Sequence, residues 1–136
     1  NTSHLRGLGR NALNAKQLSP QLAAEIQQHL SVMEHELSLA LRDFEKVKQV
    51  APNYFSKIET NATEATAAYI TAIKRDLLST QTELNAEVSN YVSLASKTLE
   101  VQFRQVQKNL AVLDQMLLER KDNLTRSDLP PEFSSP

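Results

Sequence analysis

Three observations predict an all-α fold, an elongated antiparallel helical bundle or coiled coil of three long helices preceded by a short one. Apolar residues repeat in alternating steps of three and four along most of the chain, which is the seven-residue period of a helical seam. The apolar 40% is drawn almost wholly from Leu, Ile, Val and Ala, with aromatics at 5% and plentiful Gln and Glu, a composition of helix formers. Breakers are sparse: the glycines are Gly7 and Gly9, and the prolines are Pro20, Pro52, Pro130, Pro131 and Pro136.

The first element is a short amphipathic helix over Ser3 to Lys16, with Leu5, Leu8, Ala12 and Leu13 on one side. Residues 1–18 carry Arg6, Arg10 and Lys16 and no acid, leaving twelve basic against sixteen acidic residues in the remainder. A short basic stretch of this kind reads first as a solvated helix end.

Ser19-Pro20 predicts the second helix. The Ser hydroxyl caps a free first-turn amide, and Pro occupies a position whose missing N–H costs nothing. Its seam runs Ile26, Leu30, Met33, Leu37, Ala40, Phe44, Val47. Pro52 disfavours helical geometry at Ala51, so the helix ends near Val50 and the chain turns through Ala51-Pro52-Asn53.

A third helix is expected from Asn53 to Ser79 on the seam Phe55, Ile58, Ala62, Ala65, Tyr69, Ile73, Leu77, whose small middle invites close approach of a neighbour. The pattern Thr80-Gln81-Thr82-Glu83 fits a capping box and predicts a reversal near residue 80. Ser31 and Glu34 have the same spacing inside a helix, so the rival is one helix from 53 to 124, roughly 108 Å long. The last seam is Leu84, Val88, Tyr91, Ala95, Leu99, Phe103, Val106, Leu110, Leu113, Leu117, ending near Asn123. Its successive steps of four from Tyr91 to Phe103 insert a stutter. Residues 1–128 are expected to form a single helical domain, and Leu129 to Pro136 a Pro-rich tail.

Two reversals give rods of about 32, 27 and 45 residues, or roughly 48, 40 and 67 Å. The last rod then passes the turn at Pro52 near Val106 and projects beyond its neighbours. Connectivity places the short first helix at the wrong end to cover it. Leu110, Leu113 and Leu117, with Val112, Met116 and Leu118 beside them, would lie bare in water, each Leu forgoing roughly 1.5–3 kcal/mol of burial. The expected partner-binding residues are therefore Leu110, Leu113, Met116, Leu117 and Leu118, and the expected partner is a protein helix or another copy of the chain. The plainer alternative is a bent rod, or a first helix folded over the patch.

Site chemistry is not expected. His29 and Glu25 share a helix face, but His35 points about 120° away, and the Glu-x-x-His motif of bundle metal sites is absent. With no Cys there are no disulfides and no thiolate ligands. No glycine elbow or Gly-rich phosphate loop surrounds any Ser, and no cleft isolates a carboxylate pair, so no enzyme, metal or cofactor is expected. The near-balanced charge, 15 basic against 16 acidic, argues against nucleic acid. No apolar run approaches the roughly 20 residues that span a bilayer. Asn1 is not an initiator Met, so a trimmed chain is expected, and a membrane anchor cut from either end is compatible with it. Asn1-Thr2-Ser3, Asn61-Ala62-Thr63 and Asn123-Leu124-Thr125 match the glycosylation triplet, which such a composition makes by chance.

The leading expectation is a non-enzymatic interaction module: a subunit, adaptor or scaffold. A second is an extracytoplasmic four-helix sensor domain of a bacterial receptor that binds a small ligand; Tyr69 and Tyr91 read first as core packing, with the lining of a small ligand cavity as the alternative. A third is an exchangeable amphipathic bundle at lipid surfaces, disfavoured by the narrow seams and few aromatics.

Overall fold

A computed structural model describes residues 1–79 and 83–127. Among the described residues there are five helices: α1 (Thr2–Ala15), α2 (Pro20–Val50), α3 (Pro52–Phe55), α4 (Asn61–Asp76) and α5 (Val88–Ser127). No strand occurs among the described residues. Residues 80–82, which carry most of the expected capping box, and the Pro-rich tail lie outside the described residues.

α1 ends as its backbone dictates. Lys16 takes the left-handed conformation at φ 54° and its amide bonds back to Leu13, while Gln17 bonds back to Ala12. That pair of bonds is a Schellman cap, built here without the usual glycine. Three residues later Ser19 Oγ accepts from the Leu22 amide at 3.1 Å, with Pro20 at the first helical position, and α2 runs 31 residues to the turn at Ala51-Pro52.

α1 and α4 each pack on both α2 and α5, which closes a ring of four with α2 and α5 across its diagonal. Neighbours are antiparallel. Thr2 meets Gln102 while Lys16 meets Leu84, Ala62 meets Gln105 while Tyr69 meets Tyr91, and Glu34 of α2 pairs with Lys74 of α4 at 3.2 Å. The core fills the ring's lower part: Leu5, Ala12 and Leu13, then Ile26, Leu30 and Met33, then Tyr69, Ile70, Ile73 and Leu77, closed by Leu84, Tyr91 and Ala95. Above Met33 the α2 seam residues Leu37, Ala40, Phe44 and Val47 are only half-buried.

Two long helices replace the three expected. The segment foreseen as one helix over 53–79 is split into α3, of four residues, and α4, of sixteen. Hydroxyls and a neighbouring helix compete for its backbone: Ser56 Oγ donates to Asn53 O and Thr63 Oγ1 to Thr60 O, while Glu59 is held from α5. α5 likewise begins at Val88 and not at residue 80. The Leu84 amide donates to Lys16 O across the bundle, so Leu84 is buried without being helical. The chain does reverse between α4 and α5.

A candidate interaction surface on the long C-terminal helix

α5 holds 40 residues against 16 in α4, and beyond Asn109 it rises roughly 27 Å past the last side chain hydrogen-bonded to the turn before α4. Two heptad stripes run along it from a common root at Tyr91 and Ala95. One steps by three to Thr98 and continues through Gln102, Gln105, Asn109, Val112 and Met116. The other steps by four to Leu99 and continues through Phe103, Val106, Leu110, Leu113, Leu117 and Leu124. Each member lies one residue from its counterpart, so the stripes stand about 100° apart round the axis.

The polar stripe faces inward. Gln102 takes a bond from Thr2 Oγ1 at 3.2 Å and donates to Thr66 Oγ1 at 2.9 Å. Gln105 Oε1 accepts the Ala62 amide at 2.7 Å, capping the start of α4, which has no cap from its own Thr60. Asn109 takes the Glu59 amide at 2.8 Å and donates to the Glu59 carbonyl at 2.9 Å. Breaking the helix at 56–60 leaves backbone groups that need partners, and these amides supply them. The apolar stripe is displaced outward as a result.

Phe103 is 66% exposed, Val106 56%, Leu110 55%, Leu113 39% and Leu117 54%. Leu110, Leu113 and Leu117 thus share one open face, and Leu118, also exposed, lies beside it. Met116 is half-buried on the opposite flank, where Val112, Ala111 and Gln115 line a shallow depression with Lys57. The five residues expected to bind a partner therefore do not all share one line. Phe103, Val106 and Leu124, which extend the open stripe at both ends, were not foreseen as exposed. The signal was in the sequence: the stutter at Leu99, together with Thr98, Gln102, Gln105 and Asn109 at their own heptad spacing.

His29 stacks on His4 at 5.1 Å and its Nδ1 lies 3.0 Å from Asn1 Oδ1. Among the described residues no three His, Asp or Glu side chains gather in a metal-binding group, and no helix is long and apolar enough to cross a membrane. Tyr69 and Tyr91 are buried with hydroxyls 2.8 Å apart, and Tyr91 donates onward to Leu5 O at 2.7 Å. Burial, then the bond to Tyr91, holds the Tyr69 phenol far above its ordinary value. Burial pushes Tyr91 up to about 12, against the lowering effect of the Tyr69 hydroxyl. At the mouth of the ring, a cavity of about 280 Å³ lies among Met33, Leu37, Ala40, Thr66, Leu99 and Gln102.

Set beside protein-family models, curated proteins and solved structures, the chain matches none of them.

Proposed function

We propose that this chain is a non-enzymatic helical interaction module, a subunit, adaptor or scaffold that takes a partner helix along the outward stripe of α5. The observation that carries this is the open heptad from Phe103 to Leu117, five large apolar side chains at helix-pairing spacing with 39–66% of their surface in water. Covering such a face removes apolar area from water at roughly 25 cal/mol per Å², and the seven-residue repeat suits another helix better than an irregular surface.

Sedimentation tests it, with the chain alone and with a dye-labelled synthetic amphipathic helix carrying Leu at a and d positions. The chain is expected either to self-associate or to carry the peptide. Leu113→Glu with Leu117→Glu should do neither, and at high dilution, where the wild type is monomeric, variant and wild type should melt at the same temperature because both side chains are exposed. A wild-type chain that stays monomeric and leaves the peptide free would end the proposal.

A second reading, small-ligand sensing of the kind extracytoplasmic receptor bundles perform, is favoured by the ring of four helices and by the mouth cavity with its Thr2, Gln102 and Thr66 hydroxyl and amide groups. Its helices of 14, 31, 16 and 40 residues are unequal, which weighs toward association. Thermal melting against small carboxylic and amino acids checks it: a ligand of this site raises the melting temperature with concentration.

A further inference from the structure

The flanks of the α5 stripe carry information about which helix it takes. Setting Phe103, Leu110, Leu117 and Leu124 at a puts Leu99, Val106, Leu113 and Arg120 at d, and Glu100, Gln107, Asp114 and Lys121 at e. Arg120 is the one charged residue on the seam, and the e flank has an acid at its lower end and a base at its upper end.

Two copies aligned in parallel would place Arg120 against Arg120. Their flanking contacts would be Gln102 with Gln107, Asn109 with Asp114 and Met116 with Lys121, with no opposite charges among them. The antiparallel arrangement has a register in which each seam position from Phe103 to Arg120 finds a suitable neighbour. Leu110 meets Leu113 of the second copy, Val106 meets its Leu117, and Phe103 meets its Arg120, a guanidinium against an aromatic ring. In the same register Glu100 flanks Lys121 of the second copy, Gln107 flanks its Asp114, and two-fold symmetry makes each contact twice.

From Phe103 upward the stripe is open in this chain, whereas below it Leu99 is half-buried beside the start of α1 and Arg6 of α1 bonds to Ser96. α1 begins at Thr2, level with Gln102, and Phe103 immediately above is two-thirds exposed. The g flank is Gln102, Asn109 and Met116, of which Gln102 and Asn109 are engaged by the chain's own backbone and α4, so the e flank is the one open to a visitor.

Resting on α5 as a helix-binding surface, we infer that its occupant is a second copy of this chain, packed antiparallel with the two-fold axis between Leu110 and Leu113. The seam from Phe103 to Arg120 and its flanks are then self-complementary, and the two-fold closes the dimer.

The chain has no Cys, so single-cysteine variants report orientation directly. Val106→Cys and Leu117→Cys, oxidised separately, are expected to remain uncrosslinked, while their mixture gives a crossed disulfide dimer. Disulfides within each variant alone would mean a parallel pair and overturn the inference. Charge reversal supplies an independent readout by sedimentation: Glu100→Lys should weaken self-association severalfold at low salt, and Glu100→Lys with Lys121→Glu should restore it. A monomeric wild type that carries the labelled helical peptide refutes the dimer and leaves the helix-binding role standing; a monomer that carries nothing refutes both.

Discussion

A Cβ built on Gly9 would overlap the ring of Tyr91, so the glycine sits inside a helix for the room it leaves across the α1–α5 contact. In an open helix Gly→Ala would gain about 1 kcal/mol; here Gly9→Ala is expected to lose about 1–3 kcal/mol, because the ring is buried and cannot swing away. Denaturant melting of the variant measures the sign. Tyr91 itself relays a bond from the Tyr69 hydroxyl to the Leu5 carbonyl, and Tyr91→Phe leaves the Tyr69 donor without its acceptor at a cost of about 1–3 kcal/mol. The pair also sets an alkaline limit. Both phenols ionise less readily when folded than at their ordinary value near 10, so their contribution is whole below about pH 10. As pH rises further the unfolded chain loses phenolic protons that the folded chain keeps, and stability falls; the share of Tyr91 in that fall ends once it ionises near 12, while that of Tyr69, held higher still, goes on. A stability profile over that range should fall more steeply in the wild type than in Tyr91→Phe, which keeps only the buried Tyr69 phenol.

Helix ends show which parts of the sequence speak for themselves. The start of α2 was legible at Ser19-Pro20 because cap and first turn are neighbours in the chain, and the end at Val50 was legible from Pro52. The split between α3 and α4 was not. Phe55, Ile58 and Ala62 keep heptad spacing straight through it, and the groups that hold the break open, Gln105 and Asn109, lie more than forty residues away. Asn109→Ala is therefore expected to cost about 1–3 kcal/mol by leaving both Glu59 backbone groups unpaired, and faster amide exchange at Glu59 is the local sign of that loss. The cap of α1 offers the opposite change. Lys16 adopts left-handed backbone geometry that costs a side-chain-bearing residue roughly 1–2 kcal/mol, so Lys16→Gly should stabilise the chain by up to about 1 kcal/mol after the added freedom of the unfolded glycine is set against it.

At the scale of the molecule, the described core stops near Met33 and Thr98, while α2 and α5 continue well past it. The projecting length of α5 was foreseeable from helix lengths alone; which side of it faces out was not. Heptad spacing alone puts Leu99, Phe103 and Val106 inward, but the backbone groups freed at residues 56–60 draw the polar stripe inward and turn Phe103 and Val106 to solvent. A helix continued from a packed base needs only propagation and no new nucleus, so the upper part of α5 stays helical without neighbours, but its hydrogen bonds open independently of the core. Hydrogen exchange at high dilution should show amides of residues 110–125 exchanging far sooner than those of Tyr91 to Thr98, which open only with the bundle. Raising the concentration should then protect residues 103–120 selectively, because a second copy covers the stripe and leaves the ring as it was. Uniform protection along all of α5 at dilution would mean that its upper half is covered within the monomer, and the open face would lose its meaning as a docking surface.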